Sequence, residues 1–105
     1  MRTLEFNVNG QILEKSKYCD FENIVAGSKG YLKMHFSFSD DLKDYRKVAR
    51  FSDGEKEDYM PIIDGSCDVP DTMVKQKYFR VGIIMIKGDK YIPTTQQCIV
   101  QEVTS

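Results

Sequence analysis

An alternation of apolar and polar side chains in residues 31–39 constrains the fold more than any other stretch of the sequence. Leu32, Met34, Phe36 and Phe38 occupy every second position, and lysine, histidine and serine fill the positions between them. Successive side chains of a β-strand point to opposite faces of a sheet, so the segment predicts a strand with one face in a core and the other in water.

The first thirteen residues predict a β-hairpin. Apolar residues at positions 4, 6 and 8 alternate with polar ones and run into Asn9-Gly10, after which extended character resumes. Asn-Gly favours a type I′ turn, because both central residues of that turn need a positive φ. A two-residue loop at this place would pair Val8 with Gln11 and Phe6 with Leu13.

Further short strands are expected at intervals of roughly ten residues, which is typical of an antiparallel β-sandwich of about seven to eight strands. They are Lys47–Phe51, Tyr59–Ile63, Cys67–Val69, Tyr78–Ile86, Tyr91–Ile92 and Cys98–Val103. Tyr78–Ile86 has apolar residues on both faces, which predicts a central or covered strand and a partner for the strand at residues 31–39. Asp20–Val25 is expected to be a short strand or an irregular crossing segment.

One or two single-turn helices complete the prediction. Short polar side chains at Ser39-Asp40-Asp41 can cap a helical turn, and Pro70–Lys75 begins with a proline, which helices tolerate where their first amides are unpaired. Met73 and Val74 would dock this second turn on the sandwich. At 105 residues without repeats or linkers, the chain is predicted to form a single domain over residues 1–105.

Composition argues against several classes of function. The 15 basic and 16 acidic residues give a formal net charge of −1, so no global field would attract nucleic acid or an anionic membrane. The longest apolar run, Val81–Ile86, is far shorter than the ~18 residues of a membrane span. Without a basic leader followed by an apolar run, we expect no membrane segment and no signal peptide.

Catalytic, cofactor and metal sites are not predicted. Cys19, Cys67 and Cys98 are odd in number and widely spaced, which favours free thiols over a disulfide framework or a zinc site completed by His35. His35 lies on the polar face of its strand and has no motif that would orient it as a general base. A calcium loop over Asp53–Glu57 is an alternative, but its acidic residues do not follow the usual ligand order.

A resemblance covers about Ala26 to Val103. It rests on the segments AGSKGYLKMHFSFSDD, KVARF, PIIDGSCDVPDTMV, YFRVGI and a final turn-plus-TT strand. These segments resemble a small immunoglobulin-like module of phage and prophage tail or baseplate proteins in Gram-positive bacteria. The matching positions are Tyr31, Leu32, Phe36, Phe38, Ser39, Lys47, Phe51, Asp64, Gly65, Cys67, Val69, Pro70, Phe79 and Val81. The family often has tryptophan where this chain has Leu42.

The resemblance implies an immunoglobulin-like sandwich that acts as a non-enzymatic structural or adaptor module. It would bind other tail or baseplate proteins or itself, and would pass from the host cytoplasm into the virion tail. The candidate contact residues lie in a charged loop and a turn, namely Asp53, Glu55, Lys56, Glu57, Asp58, Tyr59, Lys87, Asp89 and Lys90.

Two other functions remain open at this point. A compact domain of this size suits a phage-encoded inhibitor that binds a host defence protein such as a nuclease. A carbohydrate-binding module would instead stack sugars on the tyrosines, which are Tyr31, Tyr45, Tyr59, Tyr78 and Tyr91.

Overall fold

The computed structural model describes residues 1–103, and in this range nine strands form two sheets packed face to face. The strands are β1 Arg2–Asn9, β2 Ile12–Lys15, β3 Leu32–Phe38, β4 Arg46–Ser52, β5 Glu57–Pro61, β6 Ser66–Asp68, β7 Tyr78–Lys87, β8 Lys90–Pro93 and β9 Gln97–Val100. A 3₁₀ turn at Asp40–Leu42 and a short helix α1, Asp71–Val74, lie between strands. The predicted all-β sandwich is confirmed, with nine strands in place of seven to eight.

Each sheet draws its strands from distant parts of the chain. The N-sheet has the order β2-β1-β3-β6, and the C-sheet has the order β5-β4-β7 with both β8 and β9 on the far edge of β7. β1 and β3 are parallel, from Arg2 beside Leu32 to Val8 beside Phe38, whereas the other strand pairs are antiparallel. This parallel pair departs from the predicted antiparallel pattern, because residues 16–31 return the chain to the end where β1 begins.

The first hairpin forms with a register that differs from the prediction. Val8 lies opposite Leu13, not opposite Gln11, so the two loop residues are Gly10 and Gln11. Gly10 has a φ of +59°, while Asn9 and Gln11 keep negative φ values, so the turn does not need Asn in the left-handed region. Because the strand register differs by two positions, each side chain stays on its predicted face of the sheet, and Phe6 and Leu13 are both buried.

The core fills the space between the inner faces of the two sheets. Phe6 stacks on Phe36 at 5.3 Å between ring centroids in the N-sheet, and Phe51 meets Phe79 at 6.0 Å in the C-sheet. The central position predicted for β7 is confirmed, since β4 borders one edge and β8 and β9 the other. β7 belongs to the sheet opposite β3, so the two strands share the core and not a hydrogen-bonded ladder.

The two helical segments are close to their predicted places. Ser39 occupies the N-cap position of the 3₁₀ turn, but its hydroxyl makes no capping bond and is buried without a hydrogen-bond partner. Met73 and Val74 of α1 are buried against the core, as predicted. Gln101 is also buried, and its amide Nε2 donates to the carbonyl oxygens of Met73 and Gln76.

Thr94 and Thr95 link the two sheets between β8 and β9. The Thr95 N–H donates to the Gln11 carbonyl at 2.8 Å, and its hydroxyl accepts the Leu13 N–H at 3.0 Å. The Thr94 hydroxyl accepts the Ile83 N–H of β7 at 2.9 Å. This threonine junction therefore attaches the edge of the N-sheet to the middle of the C-sheet.

Candidate interaction surfaces

The charged loop that was predicted as a contact region connects β4 to β5. Asp53 Oδ1 accepts the backbone N–H groups of Lys56 and Glu55, at 2.7 and 2.9 Å. These bonds, that of Lys56 first, hold the pKa of Asp53 below its ordinary value. Asp53 therefore shapes the turn, while the side chains of Glu55 and Lys56 are exposed.

The next predicted contact residues extend along β5 and point to opposite faces of the sheet. Glu57 pairs with Arg50, and the Tyr59 hydroxyl donates to the same carboxylate at 3.2 Å. The hydrogen bond from Arg50, and then that from Tyr59, lowers the pKa of Glu57. Asp58 faces the other way and accepts a hydrogen bond from the Thr72 hydroxyl at 2.6 Å.

The second predicted contact region is the exposed turn between β7 and β8, with Lys87, Asp89 and Lys90. The Lys87 ammonium lies 5.5 Å from the centre of the Tyr45 ring, which favours a cation–π contact. Because β7 runs antiparallel to β4, this turn lies at the end of the C-sheet opposite the charged loop. The length of β4, about 20 Å, separates the two regions, so the nine predicted residues do not form one surface.

The free edge of β5 lacks a hydrogen-bond donor at its last residue, Pro61. The Asp53 N–H donates to the Lys56 carbonyl, and the Ile62 N–H donates to the Lys47 carbonyl. Hydrogen-bonded and non-hydrogen-bonded pairs alternate along an antiparallel ladder, so these two bonds identify which residues of β5 bond to β4. The backbone groups of residues 57, 59 and 61 consequently point away from β4. Residue 61 is a proline and has no N–H to offer, which is a common way to block edge pairing. The prediction that this strand is peripheral is confirmed.

The outer face of the C-sheet carries four of the five exposed large hydrophobic side chains in the described strands, Tyr59, Tyr78, Tyr91 and Val100. We call it the tyrosine–arginine face, and define it as Arg46, Val48, Arg50, Ser52, Glu57, Tyr59, Pro61, Tyr78, Arg80, Gly82, Ile84, Ile86, Tyr91, Pro93, Cys98 and Val100. Ile84 lies at its centre between Val48 and Pro93 and is 6 % exposed, whereas Tyr59 and Tyr91 are 51 % and 62 % exposed. Apolar centres with aromatic and arginine neighbours are typical of protein interfaces.

Sequence reasoning identified only part of this face. Tyr59 was predicted as a contact residue and Tyr91 as a possible stacking residue, but their separation in sequence gave no reason to place them together. The pairing of β5 with β4, and of β8 with β7, brings both to one face. The signal that could have found it was the presence of Ile84 and Ile86 on the second face of β7.

The outer face of the N-sheet is polar and carries a shallow groove beside His35. His35 Nδ1 lies 3.0 Å from Glu5 Oε1, its register partner on β1, so the histidine is a cross-strand residue as predicted. Residues 18–23 border the groove. The Arg2 guanidinium holds that segment by donating to the carbonyl oxygens of Asp20, Glu22 and Asn23.

The three cysteines lie in different surroundings as free thiols. Cys19 is half-buried, and its sulfur accepts the Glu5 N–H at 3.4 Å along the edge of β1. Burial raises the pKa of Cys67 to about 12, so this thiol stays protonated and unreactive at neutral pH. Within residues 1–103 no group of three or more histidine, cysteine or acidic side chains is arranged to hold a metal ion.

Two comparisons bear on identity. No protein-family model matches the sequence, and a search of curated proteins finds no significant match. The likeness to phage tail and baseplate modules therefore stays a prediction. Among residues 1–103, no helix has the length and apolar character to cross a membrane.

Proposed function

We propose that this chain is a non-enzymatic structural or adaptor module that binds another protein subunit through the tyrosine–arginine face. The observation that carries the proposal is the outer face of the C-sheet, where Tyr59, Tyr78, Tyr91 and Val100 are 51 %, 45 %, 62 % and 63 % exposed around the buried Ile84. Exposed apolar side chains on a sheet face gain free energy when a partner covers them, at about 25 cal/mol per Å² of apolar area.

The composition of the rim supports the same proposal. Tyr59 lies beside Arg50 on the neighbouring strand β5, and Tyr91 lies on β8 opposite Ile86 of β7. Tyrosine and arginine are among the residue types that contribute most binding energy in protein interfaces. Both tyrosines present large rings that lose few rotamers on binding. Arg50 is held in place by Glu57, so less side-chain entropy is lost when a partner contacts it.

The class of partner in this proposal comes from the resemblance of Ala26–Val103 to tail and baseplate modules. We propose that the partner is another tail or baseplate subunit and that the module ends in the virion tail. A host defence protein bound by a phage-encoded inhibitor could occupy the same face, and the identity of the bound protein separates these two possibilities.

The test compares two exposed tyrosines. Tyr91→Asp places a charge on the tyrosine–arginine face, and Tyr18→Asp makes the same change at a side chain that is 90 % exposed beside the histidine groove. Binding to purified tail and baseplate subunits encoded next to this chain is measured by biolayer interferometry. We expect Tyr91→Asp to weaken binding by about tenfold or more and Tyr18→Asp to leave it unchanged.

Thermal melting of both variants serves as the folding control, and we expect both to melt like the wild type, because each side chain is mostly exposed. Equal losses of binding in the two variants, or no binding of any tail or baseplate subunit by the wild type, would overturn the proposal.

Carbohydrate binding is a second candidate, favoured by the exposure of Tyr59, Tyr78 and Tyr91 on one sheet face. Aromatic rings on a flat sheet can stack on sugar rings. Titration calorimetry with bacterial cell-wall glycans at millimolar concentration tests it. Heat that disappears in both Tyr59→Ala and Tyr91→Ala supports the candidate, and the absence of heat in the wild type removes it.

A further inference from the structure

We infer that one occupant of the tyrosine–arginine face is the outer face of the N-sheet of a second copy of this chain. The inference rests on the proposed function, since it names the partner of the same face. It follows from a difference in charge between the two outer faces of the sandwich.

The outer face of the C-sheet is basic. The register of the strands places Arg46, Arg50 and Arg80 on this face, and Glu57 is its only carboxylate among the strand residues of the sheet. Three arginines and one glutamate give the face a formal charge of +2. Because Glu57 is bonded to Arg50, Arg46 and Arg80 carry the charge that is free to meet a partner.

The outer face of the N-sheet is acidic. Its strands present Glu5, Glu14 and Asp68 with Lys33, which gives a formal charge of −2 when His35 is neutral. The side chains that border the groove keep this balance acidic. They add the carboxylates of Asp20 and Glu22 and the guanidinium of Arg2.

Opposite charges on opposite faces favour a head-to-tail contact between copies. Two tyrosine–arginine faces brought together would place arginines against arginines, and two N-sheet faces would place carboxylates against carboxylates, which disfavours symmetric pairing. A basic face on an acidic face is complementary. Since each copy carries one face of each kind, the contact can repeat into a ring or an open stack.

The size of the faces limits the strength of this contact. Four strands at a spacing of about 4.8 Å make each face roughly 14 Å wide between the outer strands. An interface of this width lies at the small end of the range for specific complexes. We therefore expect association that grows with protein concentration and weakens with salt, because its charges lie within reach of the solvent.

The experiment uses two charge-reversed variants of the full chain. Arg46→Glu with Arg80→Glu reverses the tyrosine–arginine face, and Glu14→Lys with Asp68→Lys reverses the N-sheet face. Sedimentation velocity measures the mean mass of each protein from about 10 μM to 1 mM at low and high salt, a range chosen for a weak interface. Lys43→Glu with Lys75→Glu is a control for the first variant, because it changes the net charge equally at exposed positions outside both faces.

We expect the wild type and the control to associate at low salt. Each reversed variant alone should stay monomeric, and association should return when the two reversed variants are mixed in equal amounts. A wild type that stays monomeric at 1 mM overturns the inference. So does a mixture that stays monomeric, or self-association of the variant with Glu14→Lys and Asp68→Lys at the wild-type level. Binding of tail subunits that depends on Tyr91 would survive those outcomes, so the proposed function is judged separately.

Discussion

The two sheets of this sandwich bury similar side chains but present different outer faces. Inward they share aliphatic and phenylalanine residues, with Phe36 from the N-sheet and Phe51 from the C-sheet both in the core. Outward, the N-sheet presents polar and acidic side chains around His35, whereas the C-sheet presents tyrosines and arginines around the buried Ile84. The inner faces explain why the chain folds, whereas the outer faces differ in charge and in exposed aromatic area.

The first test of this difference compares the loss of an inward-facing side chain of β3 with the loss of an outward-facing one. Phe36→Ala removes a buried ring that stacks on Phe6, and we expect a loss of about 3 to 5 kcal/mol in the free energy of unfolding. His35→Ala, one position away on the outer face, should change it by about 0.5 kcal/mol or less, since its contact with Glu5 is half-exposed. Urea unfolding measures both. If the two variants unfold alike, the facing of β3 is wrong.

A second test makes the same comparison on β7. Ile83 faces the core and Ile84 the outer surface, so both substitutions to alanine delete the same atoms from adjacent positions. We expect Ile83→Ala to cost about 3 kcal/mol, because a cavity remains, and Ile84→Ala about 1 kcal/mol, because solvent and neighbouring side chains can fill the space. Equal costs would show that the outer face of β7 is closed in the free protein.

A third test adds a side chain at Gly65, in the turn that leads into β6. It has a φ of +80°, and an added Cβ would lie 3.1 Å from the Phe36 carbonyl oxygen and 3.2 Å from His35 Nε2. Gly65→Ala is expected to cost about 2 kcal/mol, from the left-handed backbone and the crowding together. Gly88→Ala is the matched control, since its φ is +60° but the space around it is open, and about 1 kcal/mol is expected. Chemical unfolding of the pair separates crowding from backbone strain.

The smallest expected effect is a dependence of stability on pH that arises at the charged loop between β4 and β5. The pKa of Asp53 is lower in the folded protein than its ordinary value of 3.8, so the unfolded chain binds a proton at this residue more readily. The stability that the Asp53 turn contributes is therefore fully present above pH 3.8 and is lost as the pH falls through the lower pKa of the folded protein. Asp53→Asn should be less stable than the wild type at pH 7, and the difference should shrink towards pH 2. Unfolding curves at a series of pH values test this, and a constant difference would contradict it.

The sequence pattern was sufficient for local features of the fold. Alternation located β1, β3 and β7, and Gly10, Gly54 and Gly88 lie in turns between antiparallel strands, where positive φ values are needed. Pro70 marked the start of α1. These features depend on neighbours within a few residues, so a single sequence contains the information.

Strand pairing and the interaction surfaces could not be predicted in the same way. Nothing local to Arg2 or Leu32 indicates that their strands lie side by side and parallel, because that pairing depends on how residues 16–31 cross the sandwich. The predicted contact residues were selected for charge and exposure, and the ladder placed Asp53 and Lys87 at opposite ends of the C-sheet. The face that contains Tyr59 and Tyr91 exists only after three strand pairings have formed.

The threonine junction also bears on the order of events during synthesis. Leu13 belongs to the first hairpin, yet its N–H is bonded by Thr95, which leaves the ribosome 82 residues later. The amide side chain of Gln97 completes the same connection by donating to the Leu13 carbonyl at 2.9 Å. Contacts of such long sequence separation form slowly, because a large loop must close first. A nascent chain therefore keeps an unfinished N-terminal sheet edge until the segment that contains Thr95 and Gln97 has emerged from the ribosome.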